Sequence, residues 1–221
     1  YKDIQEEFII VEFPVKFEGI KPVSKEIYDR FKGCSFVVFT TTPWTLPSNL
    51  ALAVNAAITY IKVICNISNK IYIMCEKQIN YVFNIKKKKS KSKNQSKNQK
   101  NPLENNQPPY EIIDRFNGRE LEGLSYEPMF GYFIETGKNN TNRFKVYCDE
   151  FVEENSGTGI VHIAPGFGGE DYTLCIKNNI INKNGSDMVC PVDDYGKYTE
   201  NIYDYKGRYV KGCDKDIIKD I

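Results

Sequence analysis

Short apolar blocks separated by turn residues dominate the chain, which is the pattern of β-strands rather than of long helices. FIIVEFPVKF at 8–17, SFVVFT at 35–40, YIKVIC at 60–65 and IYIMCE at 71–76 are dense in β-branched and aromatic residues. NISNK at 66–70 reads as the turn of a hairpin joining the last two. SKEIYDRF at 24–31 and EKQINYVFNI at 76–85 read as short helices. Further on, EIIDRF at 111–116, RFKVYCDEFV at 143–152 and GTGIVHIA at 157–164 look like strands around the turn-rich GRELEGLSYEPMFGYF. EDYTLCIKNNI at 170–180 opens with two acids and carries Leu174, Ile176 and Ile180 at helical spacing. DKDIIKDI at 214–221 reads as the start of another helix. No internal repeat is evident. Short strands at close spacing with few helices predict an α+β fold, a twisted β-barrel-like core with a few peripheral helices.

One stretch breaks the pattern. Residues 86–109 are almost wholly Lys, Asn, Gln, Ser and Pro, too polar to offset the entropy of ordering, and are expected to be a disordered insert within a single domain spanning 1–221. Clustered lysines attract phosphate, so an RNA-binding arm is one reading. No aromatic residue is interleaved to stack bases, which favours an expanded surface loop. The insert also changes the charge picture. Lys and Arg total 30 against 29 Asp and Glu, but 86–100 holds eight lysines and no acid, leaving 22 basic against 29 acidic side chains elsewhere. A near-neutral total thus joins an acidic domain of about −7 to a basic arm.

Composition excludes several classes. No apolar run approaches the roughly 20 residues that span a bilayer, so no membrane partner is expected. Tyr1-Lys2-Asp3 is neither an initiator nor a signal-peptide start, so the chain reads as an excised domain. Seven cysteines, odd in number and without a CxxC pair, read as reduced cytosolic thiols. A single histidine, His162, excludes multi-histidine metal sites.

Two segments do not look like ordinary loops. In TTTPWTLPSN at 40–49, three threonines run into Pro43, with Pro47 following. The hydroxyls serve either a local turn or cap, or a rigid polar pocket wall stiffened by the prolines and by β-branched side chains. In GTGIVHIAPGFGGEDY at 157–172, glycines flank a strand that carries His162 and lead into a helix that opens with Glu170-Asp171. The spacing fits neither a dinucleotide fingerprint nor a phosphate loop. A buried core histidine and a cavity-facing one both remain open on chemistry alone. No serine stands in G-x-S-x-G, which argues against a Ser-His-Asp triad, and a Cys–His nucleophile fares no better.

Together these segments resemble the editing (connective-peptide) domain of class I isoleucyl-tRNA synthetases, with support from SNLALAVN at 48–55, ELEGLSYEPMF at 120–130 and CPVDDYGKYT at 190–199. TTTPWT is similar to the isoleucyl rather than the leucyl or valyl signature. The bacterial pattern has a second histidine where this chain has Phe167, and FGxxDY resembles the eukaryotic cytosolic type. His-Ile-Gly-His and Lys-Met-Ser-Lys-Ser are both missing, so the aminoacylation site is not in this chain.

The resemblance implies an aminoacyl-tRNA deacylase. One methylene is worth only about 1–3 kcal/mol, a figure for which isoleucyl-tRNA synthetase is itself the usual illustration, so a second site must clear valyl-tRNA(Ile) and perhaps valyl-adenylate. Asp171 would pair with the substrate ammonium. His162 would wall the side-chain pocket. Thr41, Thr42, Thr45 and Asn49 would shape the pocket and hold the terminal adenosine or the attacking water. Thr40, Trp44, Gly157, Thr158, Gly159, Ala164 and Pro165 would line it, with backbone amides of 157–159 and 40–42 as oxyanion donors. No metal and no cofactor is implied in this domain, because ATP and magnesium belong to the absent synthetic site. The implied partners are the tRNA(Ile) acceptor end charged with valine and the remainder of a cytoplasmic synthetase, with the isolated domain monomeric. A rival reading is a non-catalytic insert that only binds the acceptor end.

Overall fold

β1 (Ile9–Lys16) buries Ile9, Val11 and Phe13 on one face by simple alternation. It pairs antiparallel with β2 (Cys34–Thr40) from Ile9 opposite Thr40 to Pro14 opposite Ser35. Its last two residues, Val15 and Lys16, pair instead with β7 (Ser125–Tyr126). β1 therefore joins two halves of one nine-stranded sheet. One half adds β5 (Ile71–Cys75), β4 (Thr59–Cys65) and β6 (Tyr110–Asn117); the other adds β8 (Lys145–Cys148), β3 (Ala51–Val54) and β9 (Val161–Ile163). In this computed structural model the described residues are 8–17, 24–83, 108–135 and 139–221. The expected disorder of the insert falls on residues that lie, up to 107, outside that set.

The α+β expectation holds, with one sharpening: the sheet does not close into a barrel. β6 and β9 stand at opposite ends of the strand order. β7 and β9 are only two and three residues long, too short to extend the ladder around a closed circuit. Two other expectations shrink for the same reason. GTGIVHIA gives a strand only over Val161–Ile163, and RFKVYCDEFV only over Lys145–Cys148.

β3 separates two of the three hydrophobic clusters among the described residues. All four of its residues are buried. Leu52 and Val54 face a cluster with Phe13, Phe36 and Tyr126, while Ala51 and Ala53 face one with Ile163, Leu174 and Ile217. The small alanines lie on the side where helices pack. Those helices are α2 (Gly169–Lys177) and α3 (Val210–Asp220). α1 (Lys25–Phe31) lies elsewhere, capped by Ser24, whose Oγ accepts from Ile27 N at 3.3 Å. A 3-10 turn at Glu76–Gln78 continues as helix over 79–83.

α2 ends earlier than its sequence pattern predicts. Asn179 takes a left-handed φ of 53°, so Ile180 is buried beyond the helix rather than along its stripe. α3 begins four residues before the expected 214. The 66–70 hairpin forms, with Asn69 at φ 55°. None of the seven cysteines forms a disulfide, and only Cys190 is exposed.

A hydroxyl–imidazole chain as the candidate active site

β2 ends at Thr40, and the chain turns there because the Thr42 amide donates to Thr40 Oγ1 at 3.1 Å. Pro43–Ser48 then forms a 3-10 helix. Pro47 has no N–H to give the Pro43 carbonyl, which removes an α-helical bond and favours the tighter winding. Each turn brings a hydroxyl to the same side. Thr40 Oγ1 lies 3.3 Å from Thr42 Oγ1, and Thr42 Oγ1 lies 3.3 Å from Thr45 Oγ1. Thr45 Oγ1 is 2.9 Å from His162 Nε2, across 117 positions of sequence. The threonines thus close a local turn and line up their hydroxyl oxygens in a row.

The hydrogen bonds assign the histidine tautomer. Thr45 Oγ1 is also 2.9 Å from the Thr42 carbonyl, which can only accept. The hydroxyl proton goes to that carbonyl, so Thr45 accepts from His162 Nε2–H. Nδ1 then carries the lone pair, and it is buried without a partner. His162 itself is 8% exposed, opposite Leu52 in the β3–β9 ladder. Burial alone pushes its pKa down to about 4. At neutral pH it is uncharged, not a cation.

Asp171 is the third residue of α2. Its carboxylate turns back, and Oδ2 accepts from the Ala164 amide at 2.8 Å. The acid therefore bonds to the main chain two residues beyond His162, which fixes the loop between strand and helix. Partial burial pushes its pKa up, an effect opposed by the Ala164 and helix-terminal amides. Gly168 makes this fold-back sterically feasible. A Cβ at that position would stand 2.7 Å from Asp171 Oδ1.

Other expected site residues are placed differently. Thr41 is exposed and makes none of the bonds along the hydroxyl row. Asn49 is buried and committed at both ends, its Nδ2 donating to Ala51 O at 2.9 Å and its Oδ1 accepting from Tyr126 Oη. Each end of its amide thus has one bond to the fold. The amide of Gly159 donates to Ser156 O at 3.1 Å and that of Thr42 to Thr40, so neither is free to meet an oxyanion. Thr158 is fully buried, with its carbonyl accepting from Cys75 N at 2.9 Å. Gly157 is half-buried beside Phe39, at a φ of +57°. Gly159 sits at φ +71° with no room for a side chain, because a Cβ would come 2.3 Å from that of Cys75. Ala164 and Pro165 are buried at the turn after β9.

Several contributors carry no local sequence signal. Trp44 packs edge-on against Phe167 with ring centroids 4.8 Å apart. Its backbone amide donates to Asp214 Oδ1 at 2.9 Å, and its carbonyl accepts from Tyr198 Oη at 2.6 Å. Residues more than 150 positions away thus hold the threonine turn. A wide cleft of about 920 Å³, bounded by Asn55, Arg119, Asp149 and Lys177, lies past the far end of β3 and does not include the threonines or His162. Among the described residues no group of three His, Cys, Asp or Glu side chains is placed to hold a metal ion.

The chain is 42% identical over 227 residues to the cytoplasmic isoleucine–tRNA ligase of Arabidopsis thaliana, and 38% identical over 219 residues to that of Mus musculus. The isoleucine–tRNA ligase of Chlamydia pneumoniae is 33% identical. Each alignment covers 99% of this chain, which spans only 18%, 14% and 17% of those relatives respectively. No protein-family model matches. Among solved structures, the CP1 domain GlLeuRS-CP1 superposes with a TM-score of 0.62 at 15% identity, covering 96% of this chain and 94% of that one. The editing domain of the P. knowlesi cytosolic leucyl-tRNA synthetase gives 0.56 at 14%, covering 96% and 91%. The alignments run over 99% of this chain at up to 42% identity, and its fold is that of CP1 editing domains: the chain belongs to the isoleucyl-tRNA synthetases, as a segment with the editing-domain fold.

Proposed function

We propose that this domain hydrolyses mischarged valyl-tRNA(Ile). The observation that carries the reading is the continuous row from Thr40 through Thr42 and Thr45 to a neutral His162, with the Asp171 carboxylate anchored two residues beyond it. Asp171 pairs with the α-ammonium of the aminoacyl group, a charge-assisted bond that is strong in a partly desolvated site. The uncharged imidazole and the threonine methyl groups form a wall sized for valine, and the extra methylene of isoleucine overlaps it. Water adds to the ester carbonyl, the bond to the ribose oxygen breaks, and valine leaves with the tRNA hydroxyl restored. Positioning of ester and water supplies the rate. The buried thiols do not compete as nucleophiles, because burial raises the pKa of Cys175 to about 12 and of Cys34 to about 11.

The partners in this reading are the valine-charged acceptor end and the remainder of a cytoplasmic synthetase, with the excised domain monomeric and no cofactor taking part. The test uses the full-length synthetase containing this chain and valyl-tRNA(Ile). Deacylation is expected, and Asp171→Ala should abolish it. Full activity in Asp171→Ala would sink the mechanism, and binding without any hydrolysis would leave an acceptor-end binding insert instead.

A further inference from the structure

The turn that carries the pocket wall begins with an unmet donor. Pro43, its first residue, has no N–H, and the Thr42 side chain at the cap position accepts from no backbone amide of the turn. The next amide, that of Trp44, is one that a helix end leaves without an internal acceptor. It is met by Asp214 Oδ1 at 2.9 Å, reaching in from α3, which packs on this turn. The carbonyl of the same Trp44 accepts from Tyr198 Oη at 2.6 Å. Trp44 is therefore held on both its donor and its acceptor sides by the C-terminal part of the chain. Thr45, one residue on, is the hydroxyl bonded to His162.

We propose that Asp214 is a positioning residue for the candidate pocket: it caps the threonine turn from outside and fixes where Trp44 and Thr45 stand. A carboxylate suits this role, since a bond from an amide to an ionised acceptor at the start of a helical turn is about twice as strong as a neutral one. The clamp follows from the geometry alone. Its consequence, a boundary that separates valyl from isoleucyl esters, rests on the editing reading.

Trp44 is the only tryptophan, so emission of this 221-residue chain excited selectively at tryptophan reports on the turn alone. D214A is expected to red-shift that emission and to speed exchange of the Trp44 amide about tenfold, the loss of one charge-assisted bond. D214N, which keeps an oxygen in place but loses the charge, should fall between the two, about threefold from wild type on the same scale. In the full-length synthetase D214A should lower the ratio of valyl- to isoleucyl-tRNA(Ile) deacylation by about tenfold and D214N by about threefold. Unchanged emission and exchange in folded D214A would overturn the clamp, as would equal damage from D214N. A displaced Trp44 with an unchanged deacylation ratio would overturn its role in selectivity. If wild type fails to hydrolyse valyl-tRNA, the editing reading falls while the Trp44 measurements still decide the clamp. Should D214A not fold, Asp214→Ser, polar but too short to reach the amide, is read in the same way.

Discussion

Burial of His162 makes a quantitative claim about pH. Its pKa is pushed from the ordinary 6.5 down to about 4 with no charged neighbour responsible. Between those values the unfolded chain binds a proton that the folded chain refuses, so stability falls as pH falls. The contribution is fully present above about pH 7 and largely lost near pH 4. Linkage with those two values gives a loss of about 2 kcal/mol by pH 5 and about 3 kcal/mol by pH 4. Carboxylates titrate in the same range, so the measurement must be a difference. Denaturant unfolding of the wild-type chain and of His162→Gln, followed from pH 7.5 downward, cancels the shared carboxylate terms. The substitution destabilises at pH 7 by removing the imidazole packing. The gap between the two proteins should then narrow by about 2 kcal/mol on going to pH 5. Curves that run parallel over this interval would refute the picture of a buried neutral imidazole, and a gap that widens would mean that a partner stabilises the cation.

Other consequences test the rest of the site. Gly168→Ala places a methyl 2.7 Å from the Asp171 carboxylate, so it should raise KM for valyl-tRNA(Ile) deacylation by about tenfold with little change in unfolding free energy; an unaltered KM would show that the carboxylate does not need its present position. Gly159→Ala combines a positive φ with a clash against Cys75 and should cost about 3 kcal/mol in denaturant unfolding, and a cost under about 1 kcal/mol would show that the turn can relax. Burial raises the pKa of Asp171 and substrate pairing needs it ionised, so deacylation should fall off on the acid side as Asp171 protonates; a rate that stays flat down through the carboxylate range would show that the ionised acid is not required. Deleting 86–107 should leave tRNA affinity unchanged between about 50 and 200 mM salt; a loss that fades with rising salt would instead mark the lysines as an RNA-binding arm.

The strands were readable because their signal is local. Alternation over 8–17 and the β-branched blocks at 35–40, 60–65 and 71–76 each specify a strand without reference to the rest of the chain. Helix ends were less readable. α3 starts at Val210, ahead of the run DKDIIKDI that marks it in the sequence, and α2 stops before Asn179, which turns left-handed. The two segments that mark the candidate site were also legible, through an unusual density of threonine, proline and glycine. What each residue in them does was not. Asn49 reads as a pocket group, yet Tyr126, 77 positions away, occupies its oxygen.

The sequence alone determined the α+β class, the two motif segments, the single histidine that excludes a multi-histidine site, and the family. Tertiary structure decided that the sheet stays open, that Thr45 meets His162, that Asp214 caps the turn at Trp44, and that the imidazole is neutral. The division has one cause. Strand patterning and motif composition are set by neighbours along the chain, whereas pairing across 117 or 170 residues, and the desolvation that moves a pKa, depend on which distant side chains fold into contact.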